Sequence, residues 1–145
     1  MIGDFVFSFD GIGGGIVDLT TSLQCVQGNN PRSISFMIQT TFTTSGGMIF
    51  ATGKNQIQQA FGVGFSNGDT ANIIQVYSQD ADYRPTSGKA VNDGIWHTVL
   101  VTYDGTTLNI YVDGRLDNTA TSLNYGSTSS IASTLNTVVP KIRLK

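Results

Sequence analysis

Asp93-Gly94-Ile95-Trp96-His97-Thr98-Val99-Leu100-Val101-Thr102-Tyr103-Asp104-Gly105 runs on through Leu108-Asn109-Ile110-Tyr111-Val112-Asp113-Gly114-Arg115, and this stretch decides the fold. Val99, Val101 and Tyr103 alternate with Thr98, Leu100 and Thr102; Leu108, Ile110 and Val112 alternate with Asn109 and Tyr111. Period two means a strand with one face inward and one outward. Asp-Gly between such runs is a hairpin signal, because a two-residue type I′ turn needs φ > 0 at both central residues. Asp104-Gly105 and Asp113-Gly114 therefore predict an antiparallel meander, with Val99, Val101, Leu108, Ile110 and Val112 shielded between two layers.

The same pattern extends in both directions. Phe5, Phe7 and Phe9 alternate with Val6 and Ser8, and Ile34, Phe36 and Ile38 with Ser33, Ser35, Met37 and Gln39. Phe61, Val63 and Phe65 alternate with Gly62 and Gly64, and Ile74 and Val76 with Gln75 and Tyr77. Turn chemistry separates the runs at Asp10-Gly11, Asn67-Gly68 and Asp93-Gly94. Many short strands without an amphipathic helix predict an all-β fold, a two-sheet antiparallel β-sandwich. No linker, second domain or long repeat interrupts the pattern, so residues 1–145 are expected to form a single domain. Ser122–Thr137, rich in Ser and Thr, gives no clear strand.

Charged residues make up 12% of the chain, about half the usual share of roughly 25%. The surface must be carried by Ser, Thr, Asn, Gln and Gly, which suits neutral polar ligands such as sugars, or packing against another protein. A net charge of −2 with scattered basic residues argues against nucleic acid. No apolar run approaches a membrane span, and no membrane insertion is expected. The single cysteine, Cys25, can make no internal disulfide and reads as a small buried hydrophobe. The N-terminal residues carry no signal-peptide pattern, and no Asn-x-Ser/Thr sequon occurs.

The opening stretch resembles the "WH.v.v.yDG..l.lYvDG" segment of laminin-G-like domains, which share the concanavalin A-like jelly-roll sandwich. Phe9-Asp10-Gly11 with Ile16-Val17-Asp18-Leu19 is similar to that family's opening strands. Ser33–Thr40 resembles "ftisfWvkt", with Met37 at the tryptophan position, and Gly47–Gly53 resembles the next strand. Family members close with further strands, so Pro140–Leu144 is expected to be the closing strand, or else an edge stays open. The resemblance also implies an extracellular place of work; without export signal or sequon, the surface of a particle such as a virion is the other expectation.

The ten acidic residues are all aspartate. The resemblance extends to glycoside hydrolases that use paired glutamates on one strand, and this chain has none to offer. Most of its Asp residues adjoin Gly in turns, where the carboxylate bonds its own backbone, so no catalysis is expected. His97 is in phase with Val99 and Val101 and reads as a core histidine bonded to a neighbour; Trp96 points to the opposite face and reads as capping an end of the sandwich.

Laminin-G-like domains often bind calcium at the rim. At the position where the family places one Asp ligand, this chain has Gln58 and Gln59, so that ligand does not carry over. The alternative calcium candidates are Asp69, Asp80 and Asp82, because hard cations take several oxygen ligands. The segment Tyr77–Arg84 mixes carboxylates, an amide, aromatic rings and a guanidinium, as sugar sites do. The candidate ligand-binding residues are accordingly Asp80, Asp82, Tyr83 and Arg84, joined by Asn55 and Asn67 from other loops.

The expected function is non-catalytic recognition of a glycan or glycoprotein through rim loops on a rigid scaffold. The competing expectation is a structural or decorating component of a particle, such as a viral or phage capsid or fibre, working as a homo-oligomer.

Overall fold

A computed structural model describes residues 7–8, 28–41, 47–53, 60–66, 72–78, 81–123, 125 and 143–144. The described strands are β1 (Phe7–Ser8), β2 (Arg32–Gln39), β3 (Met48–Gly53), β4 (Ala60–Phe65), β5 (Ile74–Tyr77), β6 (Trp96–Tyr103), β7 (Leu108–Val112), β8 (Arg115–Ala120) and β9 (Arg143–Leu144). They form a four-stranded sheet β2-β6-β7-β8, a three-stranded sheet β3-β4-β5, and the short pair β1-β9, all antiparallel. β9 is the closing strand expected near the C-terminus, with Phe7 opposite Leu144.

The two larger sheets bury their facing sides against each other. Ile38, Val99, Val101, Leu108, Ile110 and Val112 come from one; Phe61, Val63, Phe65, Ile74 and Val76 come from the other. The five residues expected between the layers are at most 2% exposed. Burying each such side chain contributes about 1.5–3 kcal/mol, so alternation in β6 and β7 dictates which face turns inward.

The three-stranded sheet is covered on its other side as well. The Tyr77 ring lies against Gly64, and its hydroxyl donates to Phe65 O at 2.6 Å. A Cβ on Gly64 would fall 2.4 Å from Gly47 O, and one on Gly62 would fall 2.9 Å from Met48 Sδ. Glycine at these two strand positions lets a ring and a neighbouring backbone approach closely. Burial pushes the Tyr77 phenol up to about 12, against the pull of Arg84 and with the push of Asp82.

Arg32 plugs one end of the sandwich. Its guanidinium sits 5.0 Å from the Phe61 ring centre and 5.5 Å from that of Tyr103, and it donates to Gly28 O and Asn30 O. Tyr125 packs edge-on against both rings. The apolar stem and delocalised charge of arginine suit such a position.

The Asp-Gly corners differ from one another. Asp113 (φ 51°) and Gly114 (φ 76°) form the expected two-residue turn between Val112 and Arg115. Asp104-Gly105 does not. Residues 104–107 form a four-residue loop in which Gly105 has positive φ (110°) and Asp104 does not. Asp104 Oδ1 accepts the Thr106 and Thr107 N–H groups instead, an Asx-type closure that competes with the left-handed form. Asn67-Gly68, Asp10-Gly11 and Cys25 lie outside the described residues.

Candidate functional site

The expected binding loop is built into the fold. Val76 and Tyr83 exchange backbone hydrogen bonds of 3.1 and 2.9 Å, so the chain after β5 doubles back along that strand. Asp82 Oδ1 accepts the Ser78 N–H at 2.7 Å, and its Oδ2 is 2.9 Å from Arg84 Nη2. The Tyr83 hydroxyl reaches the other sheet and donates to Thr119 O of β8 at 3.1 Å. Burial raises the pKa of that phenol, and the Asp117 charge adds to the effect.

Further along, Lys89 N–H donates to Asp117 Oδ1 and Asn118 Nδ2 donates to Ser87 O. Residues 81–91 are therefore a strap that bridges the free side of β5 to β8. A bulge helps: pairing slips between Ile110 and Tyr111, leaving Asp117 as the extra residue of β8 beside the strap.

Asp82 and Arg84 thus meet each other, and Tyr83 points across to β8. Asp80, Asn55, Asn67 and Asp69 lie outside the described residues. Both Asp82 carboxylate oxygens are engaged within the loop, one by the Ser78 N–H and the other by the Arg84 guanidinium. Among the described residues no group of three His, Cys, Asp or Glu is placed to hold a metal ion.

His97, read as a bonded core histidine, is fully buried and sits between two carboxylates. Its Nδ1 is 2.9 Å from Asp113 Oδ2, and its Nε2 is 2.9 Å from Asp93 Oδ1. Both nitrogens can donate only when the ring is an imidazolium. Burial works to lower its pKa, but the hydrogen bonds to Asp113 and Asp93 outweigh that and raise it. Asp113 also accepts from Lys89 Nζ (2.8 Å) and Thr98 N–H (3.0 Å). These bonds and that to His97 hold its carboxyl well below the usual range, overcoming burial, which acts in the opposite direction. Asp93 is lowered by its bond to His97, and then by the Ile95 N–H. The Asp113 link was not legible in the sequence: a two-residue turn at Asp104-Gly105 would set Val99 opposite Ile110, whereas the four-residue loop sets Val99 opposite Val112 and so brings Thr98 opposite Asp113.

The outer face of the four-stranded sheet has a different character. The register aligns Ser33, Thr102, Asn109 and Thr119 in one row across the strands. The next row is Ser35, Leu100, Tyr111 and Leu116. Leu100 and Leu116 are 36% and 58% exposed. None of the outward side chains of β2, β6 and β7 is charged. Trp96, expected at an end of the sandwich, pairs with Gln39 at the last position of the β2–β6 ladder and is half-buried.

At one end of the polar row lies an open depression of about 350 Å³, between Pro31, Arg32 and Ser33 on one side and Asp104, Thr107 and Asn109 on the other, so one cation and one anion line it. Asn109 Oδ1 accepts from Thr119 Oγ1 at 2.8 Å, leaving its Nδ2 protons directed elsewhere than that bond. The face was not singled out from sequence, because its rows exist only once four strands are paired.

Comparison with known proteins agrees with this architecture. The laminin G family model described as "Concanavalin A-like lectin/glucanases superfamily" matches residues 13–137. No curated protein matches the chain. Domains LG4-5 of the mouse laminin α1 chain superpose with a TM-score of 0.63 at 15% identity, covering 94% of this chain and 33% of that one. The chain thus spans about a third of that laminin structure. Domain 4 of AbnA, an extracellular arabinanase from Geobacillus stearothermophilus solved in complex with arabinotriose, superposes with a TM-score of 0.58 at 13% identity, covering 97% of this chain and 71% of that one. With this family match spanning most of its length, and with two packed antiparallel sheets, the chain belongs to the concanavalin A-like lectin/glucanases superfamily as a laminin-G-like sandwich.

Proposed function

We propose that this chain is a non-catalytic carbohydrate-recognition module, folded as one laminin-G-like unit and working outside cells. The observation that carries the reading is the outer face of β2, β6 and β7, uncharged along its strands and set with hydroxyl and amide groups beside an open depression whose two charges, Arg32 and Asp104, are of opposite sign. A neutral polyol matches such a surface, because it offers hydrogen bonds without requiring a counter-charge. Laminin-G-like membership supports an extracellular setting, and the arabinotriose held by a protein of like fold supports a sugar ligand. Against hydrolysis stands the chemistry of the chain: it has no glutamate, and Asp82, Asp93, Asp104, Asp113 and Asp117 all bond to neighbouring groups within the fold.

The test is a glycan array covering neutral and acidic sugars, probed with and without calcium. Binding confined to neutral glycans and unchanged by chelator is expected. An intact fold that binds nothing across the array, or turnover of a polysaccharide, would refute the proposal.

A further inference from the structure

The outer face has a direction. Ser33, Thr102 and Asn109 stand one per strand, at the sheet spacing of about 4.8 Å. Two residues further along each strand, about 6.8 Å away, runs the parallel row with Leu100, Tyr111 and Leu116. A polar rail thus lies beside an apolar one, and both cross the strands.

We infer that this face binds a linear, uncharged oligosaccharide lying across the strands, its hydroxyl edge along Ser33, Thr102 and Asn109 and its apolar ring faces on Leu100 and Tyr111. The inference rests on the carbohydrate reading above and deepens it by naming the surface and the shape of ligand.

Three features select this occupant. The first is charge: the outward positions of β2, β6 and β7 carry no ion, and the two charged residues that line the depression, Arg32 and Asp104, are of opposite sign, so the face offers an anionic chain no net counter-charge. The second is the rail. Sugar units in an extended chain repeat at a length similar to the strand spacing, so successive units meet successive strands. Each unit presents hydroxyls at its edge and C–H groups on its face, matching a polar row beside an apolar row. A peptide adding by main-chain pairing could do so only at the edge strands β2 and β8, not on the face of β6 and β7, whose main-chain groups are paired on both sides.

The third feature is the depression at the end of the rail, which gives the chain a terminus. Asp104 stands at its rim, with Oδ1 turned to the Thr106 and Thr107 N–H groups.

The experiment is titration calorimetry with cello-, xylo- and arabino-oligosaccharides of increasing length, on the wild type, Asn109→Ala, Tyr111→Ala and the exposed control Thr86→Ala. Sedimentation runs in parallel. For the series that binds, Kd is expected to fall about fivefold per unit up to the third or fourth, one hydrogen bond per strand crossed, and then to level off. Asn109→Ala is expected to weaken binding about fivefold and Tyr111→Ala about tenfold, while Thr86→Ala leaves it unchanged. Both face variants should still unfold in a single cooperative transition.

Binding that ignores chain length, or survives both face variants, would overturn the inference and leave the carbohydrate reading standing. So would a shift of oligomeric state in the face variants, which would assign the face to a second copy of the chain. Failure of every glycan, here and on the array, would overturn both.

Discussion

His97 Nδ1 and Asp113 Oδ2 lie 2.9 Å apart, joining the buried start of β6 to the turn between β7 and β8. Asp113 sits in the left-handed region (φ 51°) and so serves the turn and the histidine together. Replacing it by Asn keeps a residue tolerant of that conformation but removes the charge that faces the imidazolium and Lys89. Asp113→Asn is expected to destabilise the fold by about 1–3 kcal/mol, read as a lower urea midpoint at neutral pH. A midpoint equal to wild type would deny the link its structural role.

The same cluster sets a pH window. The raised pKa of His97 gives stability that is full below its unfolded value and is lost as pH rises through the folded one. The lowered values of Asp93 and Asp113 give stability that is full above their unfolded values and is lost as pH falls through the folded ones. The urea midpoint is therefore expected to be highest between roughly pH 4 and 6.5 and to fall as pH rises above that window. In His97→Asn that alkaline fall should flatten. A wild-type midpoint that rises above that window would contradict the charged-histidine assignment.

Among the described glycines Gly64 leaves the least room for a side chain, because its backbone neighbour Gly47 O is fixed by the bond it accepts from Phe65 N–H at 2.7 Å. Gly64→Ala must push strands apart or displace the Tyr77 ring. A loss of about 1–3 kcal/mol is expected, measured by thermal or denaturant unfolding. Gly114→Ala offers a contrast: its cost would come from φ alone (76°), since nothing lies within 4 Å of the added methyl.

Asp82→Ala removes the acceptor of Ser78 N–H and is expected to cost about 0.5–1.5 kcal/mol. Arg84→Ala breaks only a solvent-exposed pair and should change stability by less than about 1 kcal/mol. Equal effects in the two variants would show that the loop is held by something other than this carboxylate.

Residue spacing made much of the fold legible. Val99, Val101, Leu108, Ile110 and Val112 follow a strict period of two, and a one-residue slip would turn a strand's buried side chains to solvent, so the buried face was fixed although the pairing partner was not. β8 was harder: the Asp117 bulge breaks the alternation of Arg115–Ala120, and an edge strand needs no second apolar row. The Asp104 corner misled because Asp-Gly serves both a two-residue turn and a longer Asx-closed loop, and the carboxylate decides between them.

The candidate site was less legible for a related reason. Asp82, Tyr83 and Arg84 have the composition of a sugar site, yet the groups that engage Asp82 and Tyr83 include Ser78 N–H and Thr119 O, backbone atoms that composition does not reveal. The Ser33–Thr102–Asn109 rail comes from three separate strands and has no sequence motif at all.

The most direct measurement is an amide NMR titration of the labelled protein with the neutral oligosaccharide that binds best. Shifts are expected to concentrate at Ser33, Leu100, Thr102, Asn109 and Tyr111, with residues 81–84 nearly still. Shifts confined to residues 81–84, or none at saturating sugar, would contradict that placement.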